Sequence, residues 1–147
     1  MAYSGKFTPN NPKKYKGDPH RITYRSLWER KFMVYCDTSD SILEWGSEEI
    51  IIPYLSPVDG RIHRYYPDFY IKVKRADGKI ERSIVEIKPK AQCSPPKTPQ
   101  RKTRTFYKAI KTWAVNEAKW KYATEFCDIN GIEFKILNED HLGITYK

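Results

Sequence analysis

Two short runs constrain this chain most: Tyr66-Pro67-Asp68-Phe69-Tyr70-Ile71-Lys72-Val73-Lys74 and Ser83-Ile84-Val85-Glu86-Ile87-Lys88, joined across Arg75-Ala76-Asp77-Gly78-Lys79. Gly78 at the third loop position suits a three-residue hairpin in which a type I turn is followed by a left-handed residue. If Arg75 pairs with Lys79, counting outward sets Phe69 against Val85 and Asp68 against Glu86. Directly opposed residues of an antiparallel pair have Cβ atoms roughly 4.5–5.5 Å apart, close enough for two carboxylates to share one divalent cation. Side chains alternate along a strand, so Lys88 shares the face of Glu86, while Phe69, Ile71, Val73, Val85 and Ile87 form the opposite, apolar face. A two-residue Asp77-Gly78 turn would instead oppose Asp68 to Ile87 and separate the acids, so the reading depends on the turn.

The remainder of the composition narrows the partner. A chain of 147 residues is expected to form one domain with its own core. Its 27 Lys and Arg against 18 Asp and Glu leave a formal charge of +9, which favours a polyanion, with nucleic acid first. Cys36, Cys93 and Cys127 show no paired spacing and fit a reducing compartment. They and the scattered His20, His63 and His141 offer no zinc pattern, so a metal here is expected to be a hard cation held by carboxylates. No run is apolar and long enough for a transmembrane helix, and no signal peptide is expected, so no membrane partner is expected.

Along the chain, residues 1–21 read as an extended basic arm with Tyr3, Phe7 and Tyr15 available to dock it on the domain or to stack on bases. Thr23 to Asp37 has helical spacing in Trp28, Phe32 and Tyr35. Asp37 to Ser47 reads as a loop with apolar anchors, Glu49 to Leu55 as a first strand, Arg61 to Lys74 as a long second strand broken or bent near Pro67, and Ile80 to Lys88 as a third. Residues 89–104, with four prolines among basic residues, read as a loop. Thr105 to Asn130 is helical, with a possible break at Asn116 and an end at Gly131, and Ile132 to Leu137 is a last strand, expected parallel. The order is αβββαβ over residues 22–137, with a tail over 138–147. Phe106, Ile110, Trp113 and Trp120 are expected in the core, because helical spacing accounts for them.

Asp68 and Glu86 with Lys88 make the chemistry concrete. Hydrolysing a phosphodiester needs charge neutralised on the phosphate and a water acidified, and a neighbouring lysine can orient that water and counter the developing charge. The bland alternative is a solvated sheet edge on which acids and lysines alternate. The pattern Pro67-Asp68, then Glu86-Ile87-Lys88, resembles the PD-(D/E)XK nuclease superfamily, in particular the transposon-excision endonucleases with an acidic helix before the meander. A closer resemblance, to head-completion nucleases of T-even-like tailed phages, is carried by Met1-Ala2-Tyr3-Ser4-Gly5-Lys6, Tyr15-Lys16-Gly17-Asp18-Pro19, Ile22-Thr23-Tyr24-Arg25-Ser26, Trp28-Glu29, Trp113-Ala114-Val115-Asn116 and Lys119-Trp120.

The resemblance implies an α/β, restriction-endonuclease-like domain with a mixed sheet flanked by helices. It implies a Mg²⁺- or Mn²⁺-dependent endonuclease with Glu29, Asp68, Glu86 and Lys88 as catalytic residues and Asp68, Glu86 and Glu29 around the metal. Double-stranded DNA is the expected substrate, with Lys97, Arg101, Lys102, Arg104 and Lys119 as candidate contacts. It further implies a role late in virion assembly, in the host cytoplasm or in the virion, with phage portal or head proteins as partners. The alternative is a non-catalytic DNA-binding or structural head-completion protein. Glu29 also has a structural reading: Ser26-Leu27-Trp28-Glu29 is a capping box if the helix starts at Ser26, whereas an N-cap at Thr23 would leave Glu29 free inside the helix.

Overall fold

A computed structural model of the chain describes residues 4–143; Tyr3 of the expected arm and residues 144–147 of the expected tail lie outside them. The elements in order are β1 (Gly5–Phe7), β2 (Ile22–Tyr24), α1 (Leu27–Thr38), β3 (Ile42–Ser47), β4 (Ile52–Leu55), β5 (Ile62–Tyr65), β6 (Phe69–Lys74), β7 (Ile80–Ile87), α2 (Arg104–Asn130), β8 (Glu133–Leu137) and α3 (Glu139–Leu142). Strands β3, β6, β7 and β8 form one mixed sheet in that order. β3, β6 and β7 pair antiparallel, and β8 joins β7 in parallel after the α2 crossover.

The hairpin at the centre has the three-residue turn. Arg75 N–H donates to the Lys79 carbonyl at 2.8 Å and Gly78 N–H to the Arg75 carbonyl at 2.9 Å. Gly78 sits at φ 87°, where a side chain would be strained. The register follows as expected: Phe69 pairs with Val85, and Lys74 with Ile80.

Both faces of the sheet are covered, which corrects the expectation of one apolar face and one given over to chemistry. Phe69, Ile71, Val85 and Ile87 pack with Phe32, Met33 and Cys36 of α1 and with Ile42 and Trp45 of β3. On the other face Ile84 packs with Ala123 and Cys127 of α2 and with Ile52, Tyr54 and Tyr65. Chemistry on that second face is therefore confined to the end of the sheet where Glu86 emerges.

Four further expectations are corrected. The first strand of the sheet is β3, inside the segment read as a loop; a register shift between Ile42 and Glu44 interrupts its alternation. Glu49 to Leu55 contributes β4 instead, which pairs with β5 in a separate two-stranded hairpin; Arg61 to Lys74 is broken at the fully buried Pro67, one of the two expectations for it, and its halves lie in two sheets. Thr23 lies in β2 and pairs with Lys6, so α1 begins later, with Ser26 as its N-cap. Helix α2 runs unbroken through Asn116, and Gly131, at φ 67°, caps its end.

Residues 4–21 are woven into the domain. β1 pairs with β2, Phe7 and Tyr15 are buried against Trp45, and Asp37 accepts the Asn10 and Asn11 backbone N–H groups at 2.8 and 2.9 Å. No helix among the described residues is long and apolar enough to cross a membrane. Cys36, Cys93 and Cys127 are all free thiols.

Candidate active site

Asp68 stands immediately before β6, one step beyond the Phe69–Val85 pair, so the ladder carries it across from Glu86. Its Oδ2 accepts the Ile87 N–H at 2.8 Å, and its carbonyl accepts the Glu48 N–H at 3.1 Å. Glu86 is buried at 6% exposure, and its Oε2 accepts the Tyr65 hydroxyl at 2.7 Å. Tyr65, the last residue of β5, is itself buried, so the second hairpin aims a donor at the acid on the first.

Two carboxylates placed this way resist ionising together. Burial, then repulsion from Glu86, pushes Asp68 up from 3.8 to about 8. Glu86 is also raised by burial, against the Tyr65 hydrogen bond and the charges of Lys88 and Lys119, which hold it down. Lys88 follows Glu86 along the strand, its N–H bonded to the Leu137 carbonyl at 2.9 Å. Lys119 arrives from α2. Its Nζ lies 5.6 Å from the Tyr65 ring centroid and 5.9 Å from that of Tyr54, and burial lowers its pKa while Glu86 opposes the shift. The structure thus brings Lys119 to the acids and leaves the other expected DNA contacts apart from them.

Glu29 is partly buried in the first turn of α1. Ser26 Oγ accepts the Glu29 N–H at 3.1 Å and lies 3.4 Å from Glu29 Oε2, to which it donates. Burial raises Glu29, Glu48 adds to the rise, and Glu29 in turn raises both Asp68 and Glu86. Its charge therefore reaches the pair. Among the described residues no group of three or more His, Cys, Asp and Glu is gathered tightly enough to hold an ion, and Glu29 reaches Asp68 and Glu86 through its charge.

Three neighbours of the acids are not among the site residues expected from the sequence. Tyr65 reads as an ordinary strand aromatic. Arg25 grips Glu48 with two bonds, Nε at 2.8 Å and Nη2 at 3.1 Å, and feels the charges of Glu29 and Asp68. Glu48 holds φ 54°, the one positive φ outside glycine among the described residues. Such a conformation costs of order 1–3 kcal/mol and is kept here by bonds that end on Asp68 and Arg25.

Lys97, Arg101, Lys102 and Arg104 are exposed, and none forms an ion pair among the described residues. A triple neutralisation of Arg101, Lys102 and Arg104 should flatten the log–log salt dependence of DNA binding by about 0.9 for each phosphate that the loop no longer neutralises. Gel shifts at four or five salt concentrations check this; an unchanged slope would make the loop a solvated linker.

A hairpin-borne acid pair, a lysine beside it and an αβββαβ sheet define a restriction-endonuclease-like domain. The chain belongs to the TnsA-like endonuclease family: the family described as TnsA-like endonuclease N terminal matches residues 39–139. It is also 43% identical over 146 residues, spanning 97% of this chain and 95% of the relative, to the protein named head completion nuclease of Enterobacteria phage T4.

Proposed function

We propose that this protein is a divalent-metal-dependent DNA endonuclease of the PD-(D/E)XK type that acts during phage head completion in the infected cell. The observation that carries the chemistry is the pairing of half-buried Asp68 and buried Glu86 across the hairpin, with Lys88 two residues on. Both carboxylates are pushed toward the protonated form by burial, and Asp68 also by Glu86, more strongly than the nearby lysines draw them down, as oxygen donors awaiting a cation would be. Such a set fits a hard cation, Mg²⁺ or Mn²⁺, held by Asp68 and Glu86. When bound, the cation would neutralise charge on the phosphate and acidify the attacking water.

The chain's own groups do the rest. Lys88 orients the water and counters charge on the phosphate. Lys119, held over two tyrosine rings, supplies a second positive charge to the same phosphate. Tyr65 fixes the Glu86 carboxylate, and Glu29 adds negative charge behind the pair, suited to the water shell of a cation. Exposed lysines and arginines of residues 89–104 grip the DNA backbone. Likeness to a phage head completion nuclease supports head completion as the setting, with double-stranded DNA as substrate and head or portal proteins as partners.

The deciding experiment is nicking of supercoiled plasmid with and without Mg²⁺ or Mn²⁺. Cleavage should appear only with metal and vanish with chelator. A protein that binds the plasmid but never cuts it under either metal would be a structural or DNA-binding component instead.

Tyr65→Phe isolates the support given to Glu86. Losing a partner to a metal-ligating carboxylate should cost about 10–100-fold in metal affinity or activity. Calorimetric titration with Mn²⁺ measures it, and an affinity equal to wild type would remove Tyr65 from the site.

A further inference from the structure

Asn116 is 7% exposed in the middle of α2, yet its side-chain amide makes no hydrogen bond to any described residue. Its amide atoms are not sealed from solvent, since among the described residues the buried side-chain polar atom without a partner is the indole nitrogen of Trp45, so the amide is open to whatever enters the cavity it lines. Asn116 lines a cavity of about 420 Å³ whose walls include Trp113, Lys108, Pro96, Ala91 and Gln92. That volume lies within the range of about 300–1,000 Å³ typical of small-ligand sites.

Both walls spring from the active site. One is the segment that leaves Lys88 through the 3-10 turn Lys90–Gln92. The other is α2, where Asn116 lies one turn from Lys119, whose charge reaches Glu86. The expectation of Trp113 and Ile110 in the core is corrected here. The buried residues of α2 are Asn116, Ala123 and Cys127, Ile110 is exposed, and Trp113 faces the cavity with its edge contact to Trp120 at 5.8 Å. The hollow therefore offers an aromatic wall, an amide with donor and acceptor unspent, and a lysine, beneath a loop that carries Lys97, Arg101 and Lys102.

We infer that this cavity seats an unpaired nucleobase of the DNA substrate, stacked on Trp113 and read at its edge by Asn116, next to the scissile phosphate. The inference rests on the nuclease reading above and narrows its substrate to DNA with an unpaired nucleotide at the cut, such as a frayed or overhanging end. An aromatic wall accepts any base, and an asparagine amide can bond a base edge through two atoms at once. The positive surroundings match a ligand that arrives on a phosphate chain.

The test uses two hairpin DNAs identical but for one unpaired terminal 2-aminopurine, with the full-length protein in chelator so that nothing is cut. Wild type should bind the overhanging DNA about five- to a hundredfold more tightly than the blunt one, the range expected for stacking one base. The 2-aminopurine fluorescence should fall on binding. Asn116→Ala and Trp113→Ala should each bring the two affinities together, and Trp113→Ala should restore the fluorescence; circular dichroism checks that each variant folds. Should Trp113→Ala fail to fold, Asn116→Ala, which removes only an amide, decides alone. Equal wild-type affinity for both DNAs, or variants that weaken both DNAs in the same proportion, would overturn the base seat while leaving the nuclease reading intact. Failure of wild type to bind either DNA would overturn both.

Discussion

Asp68→Asn should reduce plasmid nicking on the order of 10³-fold or more while raising the melting temperature of the metal-free protein by several degrees above neutral pH. The two effects have one cause. Asp68 holds its proton up to about 8 in the folded protein, against 3.8 for the unperturbed group. The folded state then binds a proton that the unfolded chain has released, so stability from this group is full below about pH 4 and is lost as pH rises toward 8. Asparagine carries no charge to bury and removes that loss. DNA binding should persist or strengthen, because the phosphate then meets one fewer negative charge. For the same reason Mg²⁺ should bind wild type more tightly as pH rises from 6 to 8, since the cation competes with the proton. Thermal melts at pH 5 and 8.5, gel shifts and nicking assays check each part. A variant that nicks at the wild-type rate removes Asp68 from the mechanism, and one whose melting curve follows the wild-type pH profile shows that the carboxylate is not a buried charge.

How much of the fold is legible in the sequence follows from how local the determining interactions are. The central hairpin is readable because Gly78 selects the turn, the turn sets the register, and the register alone puts Asp68 opposite Glu86. Gly131 marks the end of α2 for an equally local reason, its left-handed backbone at φ 67°. Strand β3 is not readable, because its register shift breaks the alternation that marks a half-buried strand, and both Trp45 and Gly46 are buried in succession. The division of residues 61–74 between two sheets is decided by packing of Tyr65 and Ile52 against α2, which no local pattern encodes. Asn116 resembles a cap because asparagine disfavours helix interiors. Its burial, the cradle of Lys119 on Tyr54 and Tyr65, and the strained Glu48 emerge only once distant segments meet.

Glu29→Gln should leave the melting temperature within a few degrees of wild type yet remove most nuclease activity, about 10- to 100-fold, the scale of an outer partner to a metal site. The structure makes Ser26 the N-cap, with the Glu29 side chain against the Ser26 hydroxyl in place of the Ser26 backbone N–H that a capping box would use. Ser26 caps α1, and its bond is to the Glu29 backbone N–H, which glutamine retains. The side-chain contact to Ser26 Oγ, at 3.4 Å, is also open to a glutamine oxygen, and without that cap interaction the helix would be weaker by only about 1 kcal/mol. Burial and the nearby Glu48 raise Glu29, so removing its charge adds no stability cost at neutral pH. Glutamine cannot, however, supply the negative charge that reaches Asp68 and Glu86, the charge suited to a cation or the water bound to it. The expected pairing is thus an unchanged fold with a weakened reaction. The activity loss should persist at saturating DNA and be partly relieved by raising Mg²⁺, if Glu29 acts through the cation. Full activity at limiting Mg²⁺ would assign Glu29 to the cap alone and leave Asp68, Glu86 and Lys88 as the whole reacting set. A large fall in melting temperature would show instead that the carboxylate holds the helix in place.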